Sequence, residues 1–123
     1  MRAKLAAIPD VRPVSRLFKA LGDETRVRIL ALLAHGELCV CHVEAALELS
    51  QPNASRHLAI LRSAGIVETR KHGNWVYYRL AEQTDINCRS QLRPLVREFA
   101  RDETLKRDVA RLLKLRGPGQ CDS

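Results

Sequence analysis

The sequence has no apolar run near the roughly 20 residues that carry a helix across a bilayer. Its longest strictly apolar stretch is Ile29 to Ala34, so no membrane span is expected. The hydrophobic segment of an export signal is also missing, because Leu5 to Ile8, behind Arg2 and Lys4, is broken at once by Pro9 and Asp10. The expected location is the cytoplasm. There is no internal repeat, no low-complexity tract and no glycine-rich loop of the kind that cradles phosphate. Cys41 beside His42 could suggest a nucleophile and its base, but no third residue is placed to orient them, so no enzyme is expected.

Hydrophobic residues make up 46% and charged residues 28%, which is the balance of a globular chain with a real core, and 123 residues suffice for one domain only. The expected organisation is a single domain over 1–116 with a flexible tail over 117–123, where Gly117, Pro118 and Gly119 end regular structure. The net charge is +7, which favours a polyanionic partner, since each neutralised phosphate releases condensed counterions. Four cysteines, Cys39, Cys41, Cys88 and Cys121, in a chain kept in a reducing compartment favour metal binding or redox sensing over a disulfide framework.

Along the chain, Val14, Leu17, Phe18 and Leu21 mark a first helix stopped by Gly22. Asp23 caps a second, whose apolar residues Val27, Ile29, Leu30, Leu32 and Leu33 surround the helix, so it is expected at the centre of the core. Val43, Ala46, Leu47 and Leu49 mark a third helix. Ser50 and Pro52 open a fourth, with Ala54, Leu58, Leu61 and Ile60 as its apolar stripe and Gly65 as its stop. The runs Ile66–Lys71 and Trp75–Leu80, joined by His72, Gly73 and Asn74, predict a β-hairpin. Leu92, Leu95, Val96 and Phe99, then Leu105, Val109, Leu112 and Leu113, predict one kinked helix or two.

Two helices followed by a two-stranded ribbon, on a helical core, predict a mostly α fold with a small β-hairpin: a winged helix-turn-helix. The third helix braces the backbone of double-stranded DNA and the fourth enters the major groove. Gln51, Asn53, Ser55, Arg56 and His57 occupy the first turns of the fourth helix, where side chains reach base edges. Arg70, Lys71 and His72 at the hairpin tip are suited to phosphates.

Cys39 and Cys41 fall near the start of the third helix, and two thiolates select soft ions such as arsenic(III), antimony(III), cadmium or lead. His42 and Glu44 could assist as ligands, although His42 is expected at the surface. Residues two apart in a regular helix point about 200° from each other. Sharing one ion is therefore expected to distort the first turn of the bracing helix and release DNA. An oxidisable cysteine pair, or a cadmium or lead sensor on the same DNA-binding half, is the alternative.

The segments Leu17–Arg26, Glu37–Cys41, Ser50–Leu58 and Gly73–Leu80 together resemble the ArsR/SmtB metalloregulatory repressors, specifically their arsenic-responsive branch. The resemblance implies a homodimer joined through the first and last helices. It implies binding to a two-fold operator, with release when arsenite or antimonite binds. It also implies that Gln51, Ser55 and His57 face DNA and that the wing around Lys71 assists. Arsenic repressors of this type often carry a third cysteine one turn along the third helix, where this chain has Glu44. Two thiolates alone would suit a methylated arsenical; otherwise Cys88 or Cys121 completes a three-sulfur site. Zinc-sensing relatives use histidines on the last helix, and this chain has none after His72.

Overall fold

The computed structural model describes residues 11–81, 92–99 and 101–115. Cys88, Cys121 and the tail 117–123 lie outside the described residues. Among those described, no helix is long and apolar enough to cross a membrane.

Helix α1 spans Val11–Leu21 and stops at Gly22. Helix α2 spans Glu24–Leu33, and the Asp23 carboxylate accepts from the Arg26 backbone N–H at 3.1 Å, satisfying one of the amide groups that a helix start leaves open. As its all-round apolar pattern predicts, Ile29 to Leu33 are buried without a break. Helix α3 is short, Val40–Leu47. It ends two residues before the predicted Leu49 because Glu48 takes a left-handed conformation, φ 58°, and the Leu49 N–H turns back to the Glu44 carbonyl at 3.0 Å. Helix α4, Gln51–Ser63, opens on Ser50, whose hydroxyl accepts from the Asn53 N–H at 3.3 Å, with Pro52 in the first turn.

Strands β2 (Val67–His72) and β3 (Trp75–Leu80) form the hairpin, with His72 paired to Trp75, so the turn is narrowed to Gly73 and Asn74. Gly73 has φ 64°, a conformation an L side chain rarely adopts. A third strand, β1, Leu38–Cys39, pairs antiparallel with the other edge of β3, Leu38 opposite Tyr78 and Cys39 opposite Tyr77. The sheet order is therefore β1-β3-β2. The predicted ribbon is a three-stranded sheet, and a two-residue strand has no period by which sequence could reveal it.

The C-terminal stripe resolves into two helices, α5 (Leu92–Phe99) and α6 (Glu103–Leu115). Asp102 caps the second, accepting from the N–H groups of Thr104 and Leu105 at 2.9 and 3.2 Å. The core gathers Leu17 of α1, the buried run of α2, Val43 of α3, Leu58 and Leu61 of α4, Leu80 of β3 and Leu112 of α6. Fully burying a leucine contributes about 1.5–3 kcal/mol. Ile60 is not part of that stripe: it is 37% exposed, being out of phase with Leu58 and Leu61.

Two polar contacts fasten α6 to this core. Asp108 is fully buried and receives Arg28 of α2 in a two-pronged pair, Nε to Oδ2 at 2.7 Å and Nη2 to Oδ1 at 2.9 Å. Arg111 donates to the Ala46 carbonyl at the end of α3 at 2.6 Å, meeting an acceptor that a helix end leaves open. Helices α3 and α4, with the sheet directly behind them, make a winged helix-turn-helix.

Candidate functional site

Cys39 is not helical. It is the residue before α3, extended at φ −89° and ψ 166°, and it is also the last residue of β1. Cys41 lies inside α3. The bend at the strand-to-helix junction brings the two sulfur atoms together, 2.7 Å apart. The expectation that the pair is aimed apart is corrected: opposed directions hold only when both residues are helical. Convergence needs no distortion of α3.

His42 joins them. Its side chain is buried, and Nδ1 lies 3.4 Å from the Cys39 sulfur. One donor atom from each of Cys39, Cys41 and His42 falls within 4.8 Å of the others, and among the described residues this is the only such group of metal-binding type. The surface position expected for His42 is corrected too: it is buried, beside the Cys39 sulfur. Glu44, one turn on, is not in the group.

On α4, Gln51, Asn53 and Arg56 are exposed and Ser55 is half-buried. The Gln51 amide donates to the Ser55 hydroxyl at 2.7 Å, aligning the two across one turn. His57 has partners within the chain. Its side chain is 12% exposed, with Nδ1 3.1 Å from Nη1 of Arg26 and 3.8 Å from the Asp23 carboxylate. Arginine only donates, so Nδ1 accepts and the ring is neutral with its proton on Nε2. Arg26 is itself held by the Ala20 carbonyl at 2.7 Å. His57 thus ties the reading helix to the α1–α2 corner.

Burial lowers the His57 pKa; Asp23 opposes this, and Arg26 and Arg56 add to it. The unfolded chain takes up a proton here near the ordinary value of 6.5, the folded chain only at lower pH. Stability from this group is therefore complete above that value and falls as pH drops below it. Denaturant midpoints at about pH 7.5 and about pH 5.5 are expected to lie closer together in His57→Asn than in the wild type. An unchanged gap assigns the acid sensitivity to another group.

In the wing, Lys71 and His72 are exposed near the tip. Arg70 is drawn back. It donates to Glu37 through Nε at 3.1 and 3.0 Å and through Nη2 at 2.7 Å, and its guanidinium lies 5.2 Å from the centre of the Tyr77 ring. Glu37 also meets Arg79 at 3.5 Å, and Arg79 meets Glu68 at 2.9 Å. Hydrogen bonds from Arg70 hold the Glu37 carboxyl below its usual range. Because Glu37 immediately precedes β1, this cluster sits at the base of the wing beside the thiol pair.

The family model of bacterial regulatory proteins of the arsR family matches residues 23–69. The chain is 48% identical over 100 residues to the arsenic resistance transcriptional regulator ArsR1 of Pseudomonas putida, covering 80% of this chain and 77% of that protein. The chain belongs to the arsR family. It is also 57% identical over 67 residues to the arsenical resistance operon repressor of Escherichia coli, covering 54% of this chain and 57% of that protein. Among solved structures it is similar to the homodimeric winged helix-turn-helix DNA-binding domain of a possible ArsR-family regulator from Mycobacterium bovis. That match has a TM-score of 0.62 at 35% identity, covering 76% of this chain and 82% of that one.

The segment matched by the arsR family model runs from the cap of α2 into β2, and so holds both the thiol pair and the reading helix. Nothing in the sequence gives the partners of Arg26, Glu37 or Asp108. An isolated arginine or carboxylate carries no local signal of the partner it will meet after folding.

Proposed function

We propose that this chain is a metalloid-responsive transcriptional repressor of the cytoplasm. It binds operator DNA as a homodimer and lets go when arsenite or antimonite is held by Cys39 and Cys41. The observation that carries this reading is the gathering of one donor atom each from Cys39, Cys41 and His42 within 4.8 Å at the junction of the wing's sheet and the bracing helix. The names of the relatives, one an arsenic resistance regulator and one an arsenical resistance repressor, point the same way.

The donor set fits a soft guest: two sulfurs and one imidazole, mostly buried, with no carboxylate in the group. Trivalent arsenic supplies a centre that exchanges oxygen for thiolate sulfur. Cys39 would hold it from the end of β1 and Cys41 from α3, with His42 alongside. Cys88 and Cys121 are proposed as sources of a third sulfur.

The placement of the two cysteines makes the site a hinge. Cys39 moves with β1, which is bonded to β3 and so to the wing, whereas Cys41 moves with α3, which leads through the Glu48 turn to α4. A shift of one sulfur against the other is a shift of the wing against the reading helix. On α4, Gln51, Asn53, Ser55 and Arg56 are the side chains proposed to meet base edges, with Lys71 and His72 on phosphates.

Exposed apolar side chains support the dimer. Val11, Val14 and Phe18 share one face of α1 at 73%, 37% and 63% exposure, and Leu95 and Leu113 on α5 and α6 are 43% and 56% exposed. Apolar helix faces of this kind are expected to be covered by a second copy.

The test is a titration of operator duplex with purified protein, repeated with arsenite, zinc and peroxide. Arsenite is expected to weaken the complex by about 5- to 150-fold, the usual span of a coupling free energy of about 1–3 kcal/mol. If peroxide or zinc dissolves the complex and arsenite does not, the inducer is wrongly assigned.

A further inference from the structure

A groove of about 330 Å³ runs between α1 and α4. Four cations line it together with apolar side chains: Arg16 and Lys19 from α1, Arg26 from α2 and Arg56 from α4, with Ala59 and Ile60 of α4 among the rest. No carboxylate lines it. Arg16, Lys19 and Arg56 form no ion pair among the described residues. Elsewhere in the fold, Arg28, Arg70 and Arg79 each meet a carboxylate at 3.5 Å or less, and Arg111 is bound to a helix end. Three cations without a carboxylate partner among the described residues, Arg16, Lys19 and Arg56, thus share this one groove.

The groove adjoins the surface proposed to meet DNA. At about 100° per residue, Arg56 and Ser63 fall on the face of α4 opposite the buried Ala54, Leu58 and Leu61. Arg56 therefore projects outward on the side of α4 that carries Asn53, away from the Gln51–Ser55 side, and Arg16 and Lys19 of α1 lie across the groove from it. The field is felt locally, since Arg26 and Arg56 both disfavour the charged form of His57.

We propose that this groove seats the sugar-phosphate backbone of the duplex, with Arg16 and Lys19 contacting phosphates that flank the stretch faced by α4. The inference rests on the DNA-binding reading above and extends the interface to α1. Phosphate contacts position a protein without reading sequence, and each adds to the salt dependence of binding.

The test uses the full chain and a duplex of about 30 base pairs enriched from a random pool by the wild-type protein, long enough for two half-sites a turn apart. Affinity is measured between about 0.05 and 0.2 M salt, with a scrambled duplex in parallel. In Arg16→Gln/Lys19→Gln the slope of log affinity against log salt is expected to flatten by about 0.9 for each phosphate no longer neutralised. With two such phosphates per protomer of a dimer, the drop in affinity across that salt range shrinks about 100-fold. Discrimination between the two duplexes and release by arsenite stay as in the wild type, and Arg16→Lys/Lys19→Arg keeps the original slope.

A wild-type slope in the glutamine variant overturns the proposal, as does a loss of discrimination at an unchanged slope. If the wild type itself fails to prefer its enriched duplex, the DNA-binding reading falls and the groove's role with it.

Discussion

Cys39→Ser/Cys41→Ser is expected to hold operator DNA and to ignore arsenite, so that the 5- to 150-fold weakening proposed above collapses to less than about twofold. Serine oxygen is a hard donor and a poor partner for trivalent arsenic. The fold should tolerate the change. Cys39 is 1% exposed, so a hydroxyl there is buried, at a cost of about 1–3 kcal/mol if it finds no partner. Yet Cys39 is the cap of α3 and makes no capping hydrogen bond, and serine is a preferred residue at that position, so the hydroxyl has an amide to accept from. Fluorescence anisotropy of a labelled duplex, with and without arsenite, reads the outcome. Release of the double variant by arsenite would place the inducer elsewhere; loss of DNA binding would make the pair structural.

The second large effect is on stability. Asp108→Ala strands the Arg28 guanidinium, which is only 21% exposed, without its bidentate partner. Breaking a buried pair from one side costs about 3–5 kcal/mol, a large share of the stability of a domain this size. The Arg28 pKa is raised first by its hydrogen bond to Asp108, the sign expected of a cation stabilised in place. Because the pair joins α2 to α6, the loss falls on the element that carries Leu113 and the proposed dimer face. Urea unfolding followed by circular dichroism, together with sedimentation, should show a lower midpoint and a shift toward monomer. A midpoint within error of the wild type would mean that packing of Leu105 and Leu112 alone holds α6.

Much of the fold is legible in the sequence because its signals are local. Asp23 and Ser50 announce two helix starts, Gly22 and Gly65 two stops, and the change from helical period to alternation after Gly65 announces the wing. The thiol pair is equally plain, as two cysteines one residue apart. Its geometry is not. Spacing alone puts Cys39 in the first turn of α3, because nothing in it tells that Leu38 and Cys39 pair with Tyr78 and Tyr77. That one residue turns opposed sulfurs into convergent ones. Residue type and position propose Arg70 and His57 for DNA; what they do not reveal is that Arg70 also meets Glu37 and His57 also meets Arg26 within the chain.

The order of helices and strands, the caps between them, the cationic excess and the presence of two soft donors are properties of neighbouring residues, and the chain's composition and period determine them. Tertiary structure alone decided which charges are spent inside the molecule and which are left for a partner. Arg28 and Asp108 are 80 positions apart, Arg70 and Glu37 33, and Arg26 and His57 31. At such separations a pair forms only once the fold has closed, because the packing of α2 against its neighbours and the pairing of β1 and β2 with β3, and no local preference, bring the two groups within reach.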